Sequence, residues 1–147
     1  MSRYFEKISF DQFKNDVSDD KAMYENYSLP KRSTINSAGY DFEALYDFVI
    51  KPGQIKKIPL GIKASMNSNE VLLLLVRSSQ GFKYNVRMCN QVGVIDSDYY
   101  GADNYGHIMI KIVYDGDGNN TIFSKLVSIK IKMTYIVYVI LISIRYQ

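Results

Sequence analysis

Two carboxylates and a tyrosine, Asp96, Asp98 and Tyr99, stand close together in the stretch Asn90-Gln91-Val92-Gly93-Val94-Ile95-Asp96-Ser97-Asp98-Tyr99-Tyr100-Gly101. A β-forming run bounded by Gly93 and Gly101 delivers these groups to a place where the backbone must turn sharply. On an extended chain Asp96 and Asp98 share a face, so one carboxylate can act while its neighbour orients something. A carboxylate held beside a water orients it and accepts its proton, which is the role expected of Asp96. The plain structural alternative is a side chain that caps the turn.

Two earlier stretches carry complementary chemistry. In Ala38-Gly39-Tyr40-Asp41-Phe42-Glu43-Ala44, Asp41 is a lone hard oxygen donor of the kind magnesium uses while keeping most of its waters. In Arg77-Ser78-Ser79, hydroxyls and backbone N–H groups at a turn or helix start donate to phosphate oxygens, beside a planar, permanent cation. Arg77 has two open readings, a phosphate contact and an internal partner for Asp98. The sequence has no His or Cys cluster to support zinc. His107, the single histidine, is expected on a sheet surface, and Cys89 as a small buried hydrophobe.

In their order and spacing the three stretches resemble the first three signature motifs of the homotrimeric dUTPases: A-G-x-D-x-x-A, R-S-S, and G-x-I-D-x-D-Y-x-G with an Asn three residues ahead of the first Gly. The resemblance runs from Leu29 to Tyr114. It is nearest to the enzymes of Gram-positive bacteria and their phages, which carry a segment similar to Asn104-Tyr105-Gly106-His107-Ile108. It implies a dUTP diphosphatase that forms dUMP and pyrophosphate by water attack at the α-phosphate, with Mg2+ as cofactor. By that resemblance Asp96 activates the water and bonds the sugar 3′-hydroxyl, and Asp41 contacts the ion through its waters. Arg77, Ser78 and Ser79 hold the phosphates, with Ser78 near the leaving group, while Asn90 and the backbone of Val94 and Ile95 grip uracil. Tyr99 is the deoxy filter, since a ribose 2′-hydroxyl would collide with its ring or lose its hydrogen-bond partner. The resemblance also implies a homotrimer with sites shared between subunits. A dUTPase-like binding protein with weak or no turnover is the reading from another class. A dCTP deaminase relative ranks behind both, because the third motif has the dUTPase form.

The elements that must position these residues are β-strands. Thirteen tyrosines, seven phenylalanines and many Ile and Val residues favour strands, and 147 residues bury a sizeable core. The expected fold is all-β: one domain over residues 1–147, an antiparallel β-barrel or jelly roll of seven to nine strands with at most one or two short helices. Ser9 or Asp11 is expected to cap a helix through Asp16. Lys51-Pro52-Gly53 reads as a type II turn joining two antiparallel strands, Phe48 to Ile50 and Gln54 to Ile58. Val71 to Val76 reads as a strand buried on both faces.

A net charge of +3 gives no clustered basic face for nucleic acid. The most apolar run, Met133 to Ile144, is shorter than the ~20 residues a membrane-spanning helix needs. One cysteine and the absence of a signal-peptide layout at the N-terminus point to the cytoplasm.

Three features depart from the resemblance. Gln80-Gly81 follows R-S-S in place of Leu-Ala or Asn-Pro, and Tyr100 stands where Arg or Gln is usual. Residues 119–147 contain no Gly, Asp or Glu, only four cations among apolar β-formers. The G-D-x-I-A-Q-like fourth motif and the glycine-rich closing arm of the family are not recognisable there. Two β-runs, Thr121 to Ile131 and Met133 to Ile144, are expected instead, with slow turnover and an exposed tail prone to self-association.

Overall fold

In the computed structural model, residues 3–116 are described with their side chains, and residues 129–131 and 135–143 as strand backbone. The chain opens with strand β1 (Tyr4–Lys7) and two short helices, α1 (Phe10–Asp16) and α2 (Lys21–Asn26). Ser9 caps α1 by accepting from the Gln12 N–H, as its sequence promises, and Asp20 caps α2 through the Met23 N–H. Strands β2 (Tyr40–Glu43), β3 (Phe48–Ile50), β4 (Ile55–Pro59), β5 (Ile62–Ser65) and β6 (Glu70–Val76) follow. Helix α3 (Ser78–Tyr84) leads to β7 (Val86–Met88) and β8 (Gly93–Asp96). A 3₁₀ helix over Ser97–Gly101, β9 (Met109–Tyr114), β10 (Ile129–Ile131) and β11 (Tyr135–Ser143) complete the described elements.

Every pairing among the described strands is antiparallel. The strands form a four-stranded sheet in the order β2-β11-β6-β8, a three-stranded sheet β4-β9-β7, and the pairs β1-β5 and β3-β10. This is the all-β jelly-roll architecture expected. It has more strands than expected, and a third helix. α2 and α3 were hard to read because six or seven residues hold too little periodicity to register.

Fully buried Ile50, Ile58, Leu72, Leu74, Ile110 and Ile112 come from the strands, Leu60 and Ile108 from the residues flanking β4 and β9, and Phe13 of α1 joins Phe42 in closing the core. Within β6, Leu72 and Leu74 are buried while Leu73 and Leu75 are only partly so, giving an alternation the all-apolar sequence concealed.

The turn at Lys51–Gln54 forms, with Gly53 at φ 72° and the Gln54 N–H on the Lys51 carbonyl at 2.9 Å. The strands it joins do not pair with each other, which corrects the hairpin expectation. β3 pairs with β10 and β4 with β9, so the turn carries the chain between sheets. Turn chemistry specifies the reversal but not the partner of each strand.

In the tail, β11 pairs on both edges, with β2 and with β6, so its backbone presents no open edge over the paired residues. That removes the basis for expecting it to template self-association. The rest of the two expected β-runs lies outside the described residues.

Candidate active site

The pairing of β6 with β8 sets the geometry. Asp96 lies opposite Val71 at the start of β6, and Gly93 opposite Leu74. Arg77 follows the far end of β6, six positions from Val71, or ~20 Å along a strand. The sequence-predicted residues therefore fall into two groups.

The first group gathers around Asp41 in β2. Its backbone N–H is fixed by the Lys31 carbonyl at 2.9 Å, and its side chain is only 3% exposed. Oδ2 accepts a hydrogen bond from the Ser33 hydroxyl, and Oδ1 lies 3.6 Å from Arg77 Nε. Beyond that ion pair, the buried Oδ1 finds no hydrogen-bond donor among the described residues. Register explains the meeting: Asp41 and Leu75 both face Tyr138 of the intervening β11, so Asp41 lies level with the last residues of β6. Arg77 caps α3 with extended backbone (φ −62°, ψ 146°), which leaves Ser78 and Ser79 exposed in the first helical turn. Hydroxyls and N–H groups there can donate to an anion. Asp98 lies in the 3₁₀ helix beyond the opposite end of β6, so the alternative of an Arg77–Asp98 pair is set aside in favour of Arg77–Asp41.

Among the described residues no three His, Cys, Asp or Glu side chains converge to cage a metal. The undonated Oδ1 of Asp41 is nonetheless a hard oxygen of the kind a hydrated magnesium ion takes, with Arg77 as its competitor, so the residues fit outer-sphere binding.

The second group surrounds a cleft of about 340 Å³ walled by Asn90, Gly93, Val94 and Ile95 on one side and Lys57, Met109, Ile110 and Lys111 on the other. Its floor is Leu74 and Met88. A side chain at residue 93 would enter this wall, since a Cβ there would come within 3.1 Å of Leu74 and 3.2 Å of Met88. Asn90, Val94 and Ile95, expected to grip a base, thus do line one concave surface, and Val94 is 59% exposed toward solvent. Cys89 also lines the cleft and is exposed, contrary to the buried hydrophobe expected. Its position just past the last residue of β7 puts it on the rim, whereas Met88 beside it takes the core.

Asp96 ends β8, exposed, next to Ile95 at the cleft wall. It occupies the N-cap position of the 3₁₀ helix but its carboxylate makes no capping hydrogen bond. The turn-cap alternative therefore does not account for it. Because the strand ends here, Asp96 and Asp98 do not share an extended face; the period of two stops at Ser97.

Tyr99, half-buried against the core, is tethered through its hydroxyl, which donates to the His107 carbonyl at 3.1 Å. Tyr100 points elsewhere, donating to Glu6 with its ring 3.7 Å under Lys63 Nζ. That hydrogen bond to Glu6, together with the neighbouring Tyr4 phenol, pushes its phenol pKa upward.

His107 corrects another expectation: it is 0% exposed, not a sheet-surface residue. Nε2 accepts from the Gly61 N–H at 3.0 Å and Nδ1 faces Asp16 Oδ2 at 2.5 Å, which assigns the ring proton to Nδ1. Burial lowers its pKa against the pull of Asp16. A polar letter in a strand-like segment gave no sign of this, because its partners lie 46 and 91 residues away.

A family model described as dUTPase matches residues 25–119. The chain belongs to the dUTPase family. It is 49% identical over 86 residues to the deoxyuridine 5′-triphosphate nucleotidohydrolase of Lactococcus lactis, which is 58% of this chain and 57% of that protein. The chain thus spans little more than half the length of this relative. Along almost its full length it superposes on a crystal structure of the Streptococcus mutans dUTPase, with TM-score 0.71, 30% identity and 97% of each chain covered. A dUTPase of phage phi11 of S. aureus, in whose structure a structural Mg(II) ion is coordinated, shares the fold at TM-score 0.71 and 18% identity, covering 100% of this chain and 94% of that one. Both groups of residues lie inside the matched span. Among the described residues no helix is long and apolar enough to cross a membrane.

Proposed function

We propose that this chain is a dUTP diphosphatase that converts dUTP to dUMP and pyrophosphate in the cytoplasm, working as a homotrimer. The observation that carries the reading is the exposed Asp96 carboxylate, which makes no capping hydrogen bond, beside a cleft walled by Asn90, Val94 and Ile95. Uracil enters the cleft and exchanges hydrogen bonds with Asn90 and with the backbone of Val94 and Ile95. The Tyr99 ring lies under the sugar and leaves no room for a 2′-hydroxyl. Asp96 takes a proton from a water whose oxygen bonds to the α-phosphorus as the bridge to the β-phosphate breaks, releasing pyrophosphate. Ser78, Ser79 and Arg77 hold the phosphate oxygens and stabilise charge on the leaving group. Asp41 would hold Mg2+ through water, and the ion would add to the neutralisation of the triphosphate charge.

The separation of the two groups along β6 supports a shared site. Asp96 and Arg77-Ser78-Ser79 of one chain are too far apart to contact a single phosphate, so the phosphate grip on a nucleotide seated at Asp96 comes from another copy. Pyrophosphate release from dUTP, followed with and without magnesium, tests the proposal. Magnesium-dependent release with UTP inert is expected; equal handling of both nucleotides, or none of either, would sink it.

A further inference from the structure

A ring excludes a hydroxyl only if it cannot swing aside. Tyr99 belongs to a five-residue 3₁₀ helix, an element whose own hydrogen bonds are poorly aligned, so its rigidity must come from elsewhere. Beyond packing against the core, its hydroxyl is held by Asn104. The Asn104 amide Nδ2 donates to the Tyr99 hydroxyl at 2.8 Å and to the His107 carbonyl at 2.9 Å, the same carbonyl that accepts from Tyr99. At its other end Oδ1 accepts from the Gly106 N–H at 3.2 Å.

The loop is shaped to place this amide. Tyr105 and Gly106 both have positive φ, 57° and 74°, and a Cβ at residue 106 would lie 2.6 Å from the Tyr100 carbonyl oxygen. The chain therefore doubles back tightly on the 3₁₀ helix, and the far side of the tether is anchored by His107, buried and bonded at both ring nitrogens. Asparagine suits the position because it carries a donor and an acceptor on one short arm: aspartate lacks the donor, and glutamine is one carbon too long.

We infer that Asn104 is a positioning residue for sugar selection, holding the Tyr99 ring through its hydroxyl and so setting how strongly a ribonucleotide is rejected. The inference rests on the proposed role of Tyr99. Binding of dUMP and UMP, measured by calorimetry, reads it without requiring turnover. In Asn104→Ala the preference for dUMP over UMP should fall about fivefold, the loss of one part-buried hydrogen bond. Tyr99→Phe, which leaves the bonds of Asn104 to the loop in place, should show at least that fall, since it also removes the bond to the His107 carbonyl. Adding Asn104→Ala to Tyr99→Phe should then change the ratio little, because the hydroxyl that Asn104 holds is already gone. A ratio unchanged in either single variant, or equal further loss in the double variant, would overturn the inference even if Asn104→Ala lowers the melting temperature. If Asn104→Ala does not fold, Tyr99→Phe alone decides: a full preference retained there rejects the tether. A wild-type chain that binds both nucleotides equally would reject the deoxynucleotide reading itself, and this inference with it.

Discussion

The two ends of β6 are built on opposite principles. At the Arg77 end, a buried carboxylate is hemmed in by Ser33, Lys31 and Arg77, and the exposed hydroxyls of Ser78 and Ser79 stand on a helix start. At the Asp96 end, the carboxylate is exposed, holds no cap, and adjoins an open cleft. A group meant to neutralise charge gains from a fixed, partly desolvated frame, whereas a group meant to take a proton from water needs access to it. Under the proposed function the two ends supply different halves of a reaction, and the length of β6 keeps the halves of one chain apart.

The bluntest way to break this comparison is to remove the strand that joins β2 to β6. Without β11, the Asp41 side loses its neighbour in the sheet. A chain ending at Lys132 should lose cooperative thermal unfolding altogether, and a sharp transition near the full-length midpoint would show that β11 is dispensable.

Next in size is chemistry at the Asp96 end. Asp96→Asn preserves shape but not basicity, so kcat for dUTP should drop by ~10²–10⁴ with nucleotide affinity nearly unchanged. Arg77→Ala should instead weaken triphosphate binding. Mixing the two variants should restore turnover to well above either alone if sites are shared between copies; no recovery after subunit exchange would confine the site to one chain.

Tyr99→Ala should reduce the dUTP-over-UTP ratio of kcat/KM by roughly tenfold or more, since the ring is the only proposed barrier to the 2′-hydroxyl. An unchanged ratio would remove Tyr99 from selectivity. Turnover by these 147 residues should also be slow, because residues 119–147 hold no glycine with which to wrap closely over the phosphates; rapid turnover would show the first three motifs to be sufficient.

The smallest effect is acid sensitivity away from both ends. Burial holds the His107 pKa below that of the unfolded chain, and nearby Lys57 lowers it further, while Asp16 opposes them. The unfolded state then binds a proton that the native state refuses, so stability should decline as pH falls below about 6.5. Burial alone would raise the pKa of Asp16, but hydrogen bonds from His107 and Gln12 bring it below the usual carboxylate range, which adds a loss at still lower pH. The melting temperature should therefore fall between pH 7 and pH 5, and His107→Gln should flatten that slope.

What the sequence determined by itself was local. The cap at Ser9, the turn at Pro52-Gly53, the β-rich character and the three ordered motifs depend on residues near one another, where backbone geometry and short-range hydrogen bonding leave few alternatives. Asn90, Val94 and Ile95 could be grouped for the same reason, being neighbours in one short stretch of chain. Only the tertiary structure decided which strands pair, and with that it split the motifs between the ends of β6, gave Arg77 to Asp41, sank His107 between Gly61 and Asp16, and raised Cys89 to the rim. Those outcomes depend on partners tens of residues away, and an alternating strand pattern is compatible with many registers until packing against the other sheet selects one.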